Sequence, residues 1–296
     1  MRRFLFVLIG ALALPAQAAL NVLSTVPEWA ALAQEIGGDK LRVTSATTAL
    51  QDPHHIDARP SLIARARSAD LLLATGAELE VGWLPVVQRE SGNPRIQAGQ
   101  PGYFEAAAMV RMLDVPARVD RADGDVHAAG NPHIQTDPRN FLAVGVALAA
   151  RLAQVDPANA AAYRAGYAAF AERWRERIKR WEAQAAPLKG VAVVSQHKAW
   201  AYLYDWLGMR ELATLEPRPG VEPSLAHLAR VRDQVVANRP RMVVRAAYNP
   251  SRPADWFAQE ARVPVVVLPF TVGAPEAADL TALFETTLQR LLGALK

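Results

Sequence analysis

From Asp137-Pro138 to about Glu182 the chain reads as helix with a single restart, and this long stretch limits what the rest can build. Asp137 and Pro138 have the character of an N-cap and a first helical residue. Phe141, Val144, Leu148 and Leu152 mark the first part, and Asp156-Pro157 is a second such pair, where the chain bends or restarts. Beyond it Tyr163, Tyr167, Phe170, Trp174, Ile178 and Trp181 recur at steps of three and four. Arg173, Arg175, Glu176, Arg177, Lys179 and Arg180 fill the other faces, so one side is expected in a core and the other in water. The aromatic stripe is expected to pack, not to hold a cofactor.

The segments on either side alternate between strand and helix. In the first half, Leu20–Ser24 and Leu41–Ser45 read as strands around a helix opened by Pro27 and closed by Gly37-Gly38. A helix from Arg59-Pro60-Ser61 then leads to the apolar run 69–74, the pattern of a strand buried on both faces of a parallel sheet. The second half repeats the alternation, with strands at 191–195, 242–244 and 263–268 and helices near 199–207, 225–236, 254–261 and 279–295. The fold class is α/β: two lobes, each with a mostly parallel sheet flanked by helices, joined by one long α-helix. The expected division is a signal peptide at 1–18, an N-terminal lobe at 19–137, the linking helix at 138–186 and a C-terminal lobe at 187–296. Residues 92–131 show little periodicity, and 121–127 reads as an exposed loop.

The N-terminus sets the compartment. Arg2-Arg3, an apolar run from Phe4 to Leu14 too short to span a bilayer, and Ala16-Gln17-Ala18 follow the order of an export signal with cleavage near Ala18. The mature chain is expected to be exported and soluble. The chain holds no cysteine, which excludes disulfides, thiolate metal sites, a thiol nucleophile and a lipid-attachment cysteine. A bacterial periplasm is the simplest location. The net charge is only +4 and the basic residues are mixed with carboxylates, so nucleic acid is not an expected partner.

Six histidines remain as candidate ligands. His54 lies in the loop after the second strand, His197 directly after the first strand of the second half, and His133 in the turn before the long helix. Ligand groups in open α/β sheets gather at the carboxyl ends of strands. Three imidazoles from three distant segments could form a first shell for zinc, or they could be unrelated surface residues; spacing alone leaves both open.

Three loops together resemble the metal-binding, zinc- and manganese-type substrate-binding proteins of ABC transporters, the class with a rigid helical linker. Asp52-Pro53-His54 with Arg59-Pro60-Ser61 is similar to that family's first ligand loop, and Asn131-Pro132-His133 with Asp137-Pro138 to its second. Gln196-His197-Lys198-Ala199-Trp200 with Leu207-Gly208 is similar to its third. The resemblance covers the mature chain in order. It implies His54, His133 and His197 as metal ligands. Many relatives add an Asp between the last strand and the final helix. Asp279 is the best-placed residue for that role, with an ordinary N-cap or a water ligand as alternatives. Some zinc-type relatives place an acid before the first histidine, where this chain has Pro53.

Other polar residues receive blander readings. Glu78 and Glu80 are weaker ligand candidates that fit a helix N-terminus better. His55 is expected to face solvent or bond to backbone. His127, with Asp123 and Asp125, lies where zinc-type relatives often carry a His-rich loop; an auxiliary site is conceivable, and a polar loop is the simpler reading. His227, near Arg230, is expected on the surface. Glu216 and Glu222 could line the cleft, with a solvated loop the simpler reading, and Arg245 is a candidate partner for a cleft carboxylate.

The function that the resemblance implies is capture: a monomeric periplasmic protein expected to take up a divalent cation and deliver it to an ABC permease in the membrane. Three neutral imidazoles with at most one carboxylate suit Zn2+ over Mn2+, the harder ion, and proton competition near pH ~6 is expected to weaken binding. The linking helix is expected to limit lobe motion. Two other readings use the same histidines. A zinc hydrolase would need a general base that no motif supplies, and a periplasmic metal chaperone differs from a transporter component only in its recipient.

Overall fold

In β3 (Leu71–Ala74), between α2 (Pro60–Ser68) and β4 (Tyr103–Glu105), every side chain is buried, and successive ones enter different cores. Leu71 and Leu73 pack with Trp29 and Leu32 of α1 (Pro27–Gly37), while Leu72 and Ala74 pack with Leu62, Ala66 and Val87. That alternation is the two-residue period of a strand with helices on both faces. The sheet is completed by β1 (Leu20–Ser24) and β2 (Leu41–Ser45), and α3 spans Leu84–Ser91. All pairings are parallel, in the order β2-β1-β3-β4. The structure is a computed structural model that describes residues 18–117 and 127–296. The export-signal reading of residues 1–17 and most of the 121–127 loop lie outside the described residues.

The second lobe repeats the topology. It contains β5 (Ala192–Ser195), α6 (Ala201–Leu207), β6 (Arg210–Thr214), α7 (Leu225–Val235), β7 (Met242–Ala246), α8 (Arg252–Ala261), β8 (Val265–Leu268) and α9 (Leu280–Gly293), with strand order β6-β5-β7-β8, all parallel. The central strand β5 sends Val193 to the core beneath α9 and Val194 to the core beneath α7 and α8. The edge strands β4 and β6 were not expected from the sequence. Each is short and lies at a sheet edge, and β6 carries Arg210 and Glu211, so neither shows an apolar run.

Between the lobes lie α4 (Asn140–Val155) and α5 (Ala160–Ala185), the latter 26 residues long. The helix begins two residues later than expected, although the Asp137 carboxylate still accepts the Arg139 N–H at 2.7 Å. The restart at Asp156-Pro157 is a reversal. The Tyr167 hydroxyl donates to Leu142 O at 3.0 Å and Trp174 Nε1 to Pro138 O at 2.7 Å, so α4 runs antiparallel to α5. Pro157 cannot donate to a continuing helix, and Asp156 Oδ2 accepts the Asn159 amide at 2.8 Å and the Tyr163 hydroxyl at 2.6 Å in the turn.

The stripe on α5 is core, as expected: Tyr163, Phe170, Trp174, Ile178 and Trp181 are buried. Trp29 of α1 lies 5.1 Å from Phe141 of α4, Phe141 lies 5.6 Å from Trp174, and Trp174 lies 5.8 Å from Phe284 of α9. These ring contacts connect both lobes through the linker, each worth about 0.5–1.5 kcal/mol beyond the area it buries. Gly166 lets α5 approach α1 closely, because a Cβ there would sit 2.0 Å from the Ile36 carbonyl oxygen. Among the described residues no helix is long and apolar enough to cross a membrane.

Candidate metal centre

Two of the candidate histidines sit in the same local device. Asp52 Oδ1 accepts the His54 backbone N–H at 3.0 Å and lies 2.8 Å from His54 Nδ1. Asn131 Oδ1 accepts the His133 N–H at 3.0 Å and lies 2.8 Å from its Nδ1. In each Asx-Pro-His turn the short side chain two residues upstream closes the turn and holds the ring. A carboxylate oxygen only accepts, so the His54 proton resides on Nδ1 and Nε2 presents its lone pair. The same assignment holds for His133, because the Asn131 amide nitrogen donates to Asp114 Oδ2 at 3.2 Å and Lys198 O at 2.9 Å. His197 finds its partner far off in sequence: Glu216 Oε2, just beyond β6, lies 2.7 Å from His197 Nδ1.

Framework contacts fix these loops. Trp83 Nε1 donates to Pro53 O at 2.9 Å. The Tyr202 hydroxyl donates to Asn131 O at 2.8 Å. Glu216 also accepts the Gly220 N–H at 2.8 Å, tightening the loop that follows.

The three rings converge. Centroid separations are 5.2 Å for His54–His133, 5.3 Å for His133–His197 and 5.6 Å for His54–His197. One donor atom from each lies within 4.8 Å of the others, and all three residues are buried. Nε2 of His54 and of His133 is buried and has no hydrogen-bond partner among the described residues. Buried polar atoms are ordinarily paired, so two orphaned ring nitrogens in residues whose donor atoms gather this closely call for an electrophile. Burial, reinforced by the charges His54, His197 and His127 would carry, pushes the His133 pKa well below the usual imidazole value. His133 therefore stays neutral, the form that ligates. Burial raises the Asp52 carboxyl, but the hydrogen bonds from His54 outweigh it and the net pKa is lowered.

Asp279 does not join this group. It caps α9, its Oδ1 accepting the Ala282 N–H at 2.8 Å, and lines a depression with Glu35 and Arg173. The residue that the β8–α9 loop presses on the site is Phe270, whose ring lies 5.7 Å from His133 and also meets Trp200 and Tyr248. Glu80 is buried in the strand ends, accepting from Thr25 Oγ1 at 2.6 Å and the Thr75 N–H at 2.8 Å. Glu78, in a left-handed conformation with φ 66°, accepts the Ala128 N–H at 2.6 Å. Arg245 donates to the Ala246 and Asn249 carbonyls and holds no carboxylate in those bonds.

His127 is closer to the site than a polar-loop reading implies. Its ring stacks 5.5 Å from His54, and it lines a cavity of about 210 Å³ together with His133 and His197. His55 is exposed, and His227 lies on α7 outside the group. Glu216 lies against His197 and not in a solvated loop, its side chain 11% exposed, and the edge strand that delivers it has no apolar run to mark it in the sequence.

The chain is similar to proteins of known role. The high-affinity zinc uptake system protein ZnuA of Paracoccus denitrificans (strain Pd 1222) is 25% identical over 261 residues, 77% of this chain and 76% of the relative. The manganese ABC transporter substrate-binding lipoprotein PsaA of Streptococcus pneumoniae is 22% identical over 260 residues, 85% of this chain and 80% of that one. A crystal structure of ZnuA shares the fold with a TM-score of 0.79 at 22% identity, covering 94% of this chain and 100% of the other. The Cd-bound periplasmic metal binding protein of Candidatus Liberibacter asiaticus does so with a TM-score of 0.77 at 20% identity, again over 94% and 100%. Matched over residues 22–294, the chain belongs to the ZnuA family, the zinc-uptake complex component A, periplasmic.

Proposed function

We propose that this protein is a periplasmic substrate-binding protein that captures Zn2+ through Nε2 of His54, His133 and His197 and delivers it to an ABC permease. The observation that carries this reading is the pair of buried, unpartnered Nε2 atoms of His54 and His133, with His197 converging on them. Each imidazole has an acceptor behind it, the arrangement that fixes the tautomer and raises ligand basicity. Zn–N bonds run about 2.0–2.1 Å, and three neutral nitrogens with a fourth, open position suit a borderline ion better than Mn2+. Phe270, not a carboxylate, bounds the site on the β8–α9 side, which also favours zinc.

The alternative as a hydrolase is less well supported, since Asp52 and Glu216 are engaged with the outer Nδ1 atoms and not with a water on the open side. The reading includes export with cleavage near Ala18 and a monomeric mature chain. It divides that chain into a first lobe at 19–137, a connector at 138–186 and a second lobe at 187–296. The histidines then come from one lobe, the connector's entrance and the other lobe.

Titration of the chelator-stripped mature protein with Zn2+ and Mn2+ in competition tests the proposal. One equivalent of zinc should bind in preference to manganese, and His133→Ala should lose it by at least ~100-fold, beyond the 10–100-fold typical of outer-shell changes. Equal affinity in the His133→Ala variant would remove the triad from the function.

A further inference from the structure

Behind the triad lies a second cavity, of about 230 Å³, on the side of the Nδ1 atoms. Its walls include Asp52, His55, Gln196, Glu216, Glu222 and Tyr248. Asp52 and Glu216 each place one carboxylate oxygen on a histidine of the triad, so the cavity and the triad share those two groups. Acidity alone would not make this a site. The independent sign is Gln196, which is 2% exposed. Its Nε2 donates to Pro250 O at 2.9 Å, and Pro250 lines the same cavity. Its Oε1 is buried and has no hydrogen-bond partner among the described residues. An unpaired buried carbonyl oxygen on a residue that lines the same cavity as these carboxylates is a group that a cation would satisfy. Burial raises the Tyr248 hydroxyl well above its usual pKa, and the negative charges of Asp52 and Glu216 push it further.

We infer that this cavity is a second, weaker divalent-cation site of oxygen-rich character, which holds a hydrated ion beside the triad. Asp52, Glu216, Glu222 and the Gln196 amide oxygen are hard donors, and His55 at the rim adds one nitrogen. That set suits Mn2+ or another hard divalent ion more than zinc. Glu222 and His55 are exposed, so the site opens to solvent and an ion there keeps part of its water. A negative, walled cleft also raises the local concentration of cations. The inference borrows from the proposed function only the assignment of the triad as the zinc site.

Manganese EPR on the full mature chain tests it. The protein is loaded with one equivalent of Zn2+ and then titrated with Mn2+. One Mn2+ per chain should bind with a dissociation constant of roughly 0.1–1 mM, the range of open extracellular oxygen-donor sites. The double variant Glu222→Gln/His55→Ala leaves in place Asp52 and Glu216, which hold the Nδ1 atoms of His54 and His197, and should weaken Mn2+ at least tenfold while retaining the zinc. Titrating His133→Ala without zinc separates the two claims: Mn2+ bound there with the same sensitivity to Glu222 and His55 supports the cavity even if the triad assignment fails. No Mn2+ bound below several millimolar in either background would overturn the inference, as would a double variant that binds like the parent.

Discussion

Glu216 Oε2 stands 2.7 Å from His197 Nδ1, joining two residues 19 positions apart that follow neighbouring parallel strands. The contact anchors the third histidine to the sheet, whereas the other two are anchored by their own turns. Replacing the charge by an amide should lower imidazole basicity and loosen the ring. Glu216→Gln is expected to weaken zinc 10–100-fold, read by competition with a chromophoric chelator. An affinity within threefold of the parent would mean that the carboxylate positions nothing.

Asp279→Ala should separate capping from binding. The variant loses the hydrogen bond to the Ala282 N–H, at a cost of about 0.5–2 kcal/mol in denaturant unfolding. Zinc affinity should be unchanged, since Asp279 lies outside the histidine group. A tenfold loss of zinc without a loss of stability would restore it as a ligand.

Glu28 sets a pH dependence. This residue of α1 is buried and accepts the Thr271 hydroxyl from the loop that carries Phe270. Burial raises its pKa from 4.5 to about 7, and the Glu80 charge adds to the rise. Below pH 4.5 the carboxyl is protonated in both folded and unfolded chains, so it exacts no penalty there. As pH rises towards 7 the unfolded chain has already released its proton while the folded chain retains it, so folding loses stability. The loss is complete above about 7 and amounts to about 3 kcal/mol. Glu28→Gln should therefore flatten the fall in unfolding free energy between pH 5 and 8, measured in urea on the metal-free protein. An unchanged slope would show that Glu28 titrates normally.

The fold was legible where sequence pattern and packing coincide. The β3 run and the α5 stripe each announce their burial, and His54 and His133 carry their Asx partner two residues upstream. What was illegible depends on long-range pairing. Glu216 reaches His197 only because β6 pairs in parallel with β5, and β6 is an edge strand without an apolar run. Scanning the β8–α9 loop for an acid finds Asp279, but the side chain that approaches His133 is Phe270, chosen by aromatic packing against Trp200 and Tyr248. The reversal at Asp156-Pro157 is likewise ambiguous locally. The same Asp-Pro pair begins a straight continuation or a hairpin, and the contact of Trp174 with Pro138 decides.

The chain of rings from Trp29 through Phe141 and Trp174 to Phe284 has a thermal consequence. Because the lobes share this aromatic seam, neither has a boundary along which it could melt alone. Calorimetry of the metal-free protein should record one endotherm with matching calorimetric and van't Hoff enthalpies, where two independent domains would give two. The same seam makes wide opening between lobes costly, so an ion would leave by yielding of the loops around His54, His133 and His197 while the scaffold holds its shape.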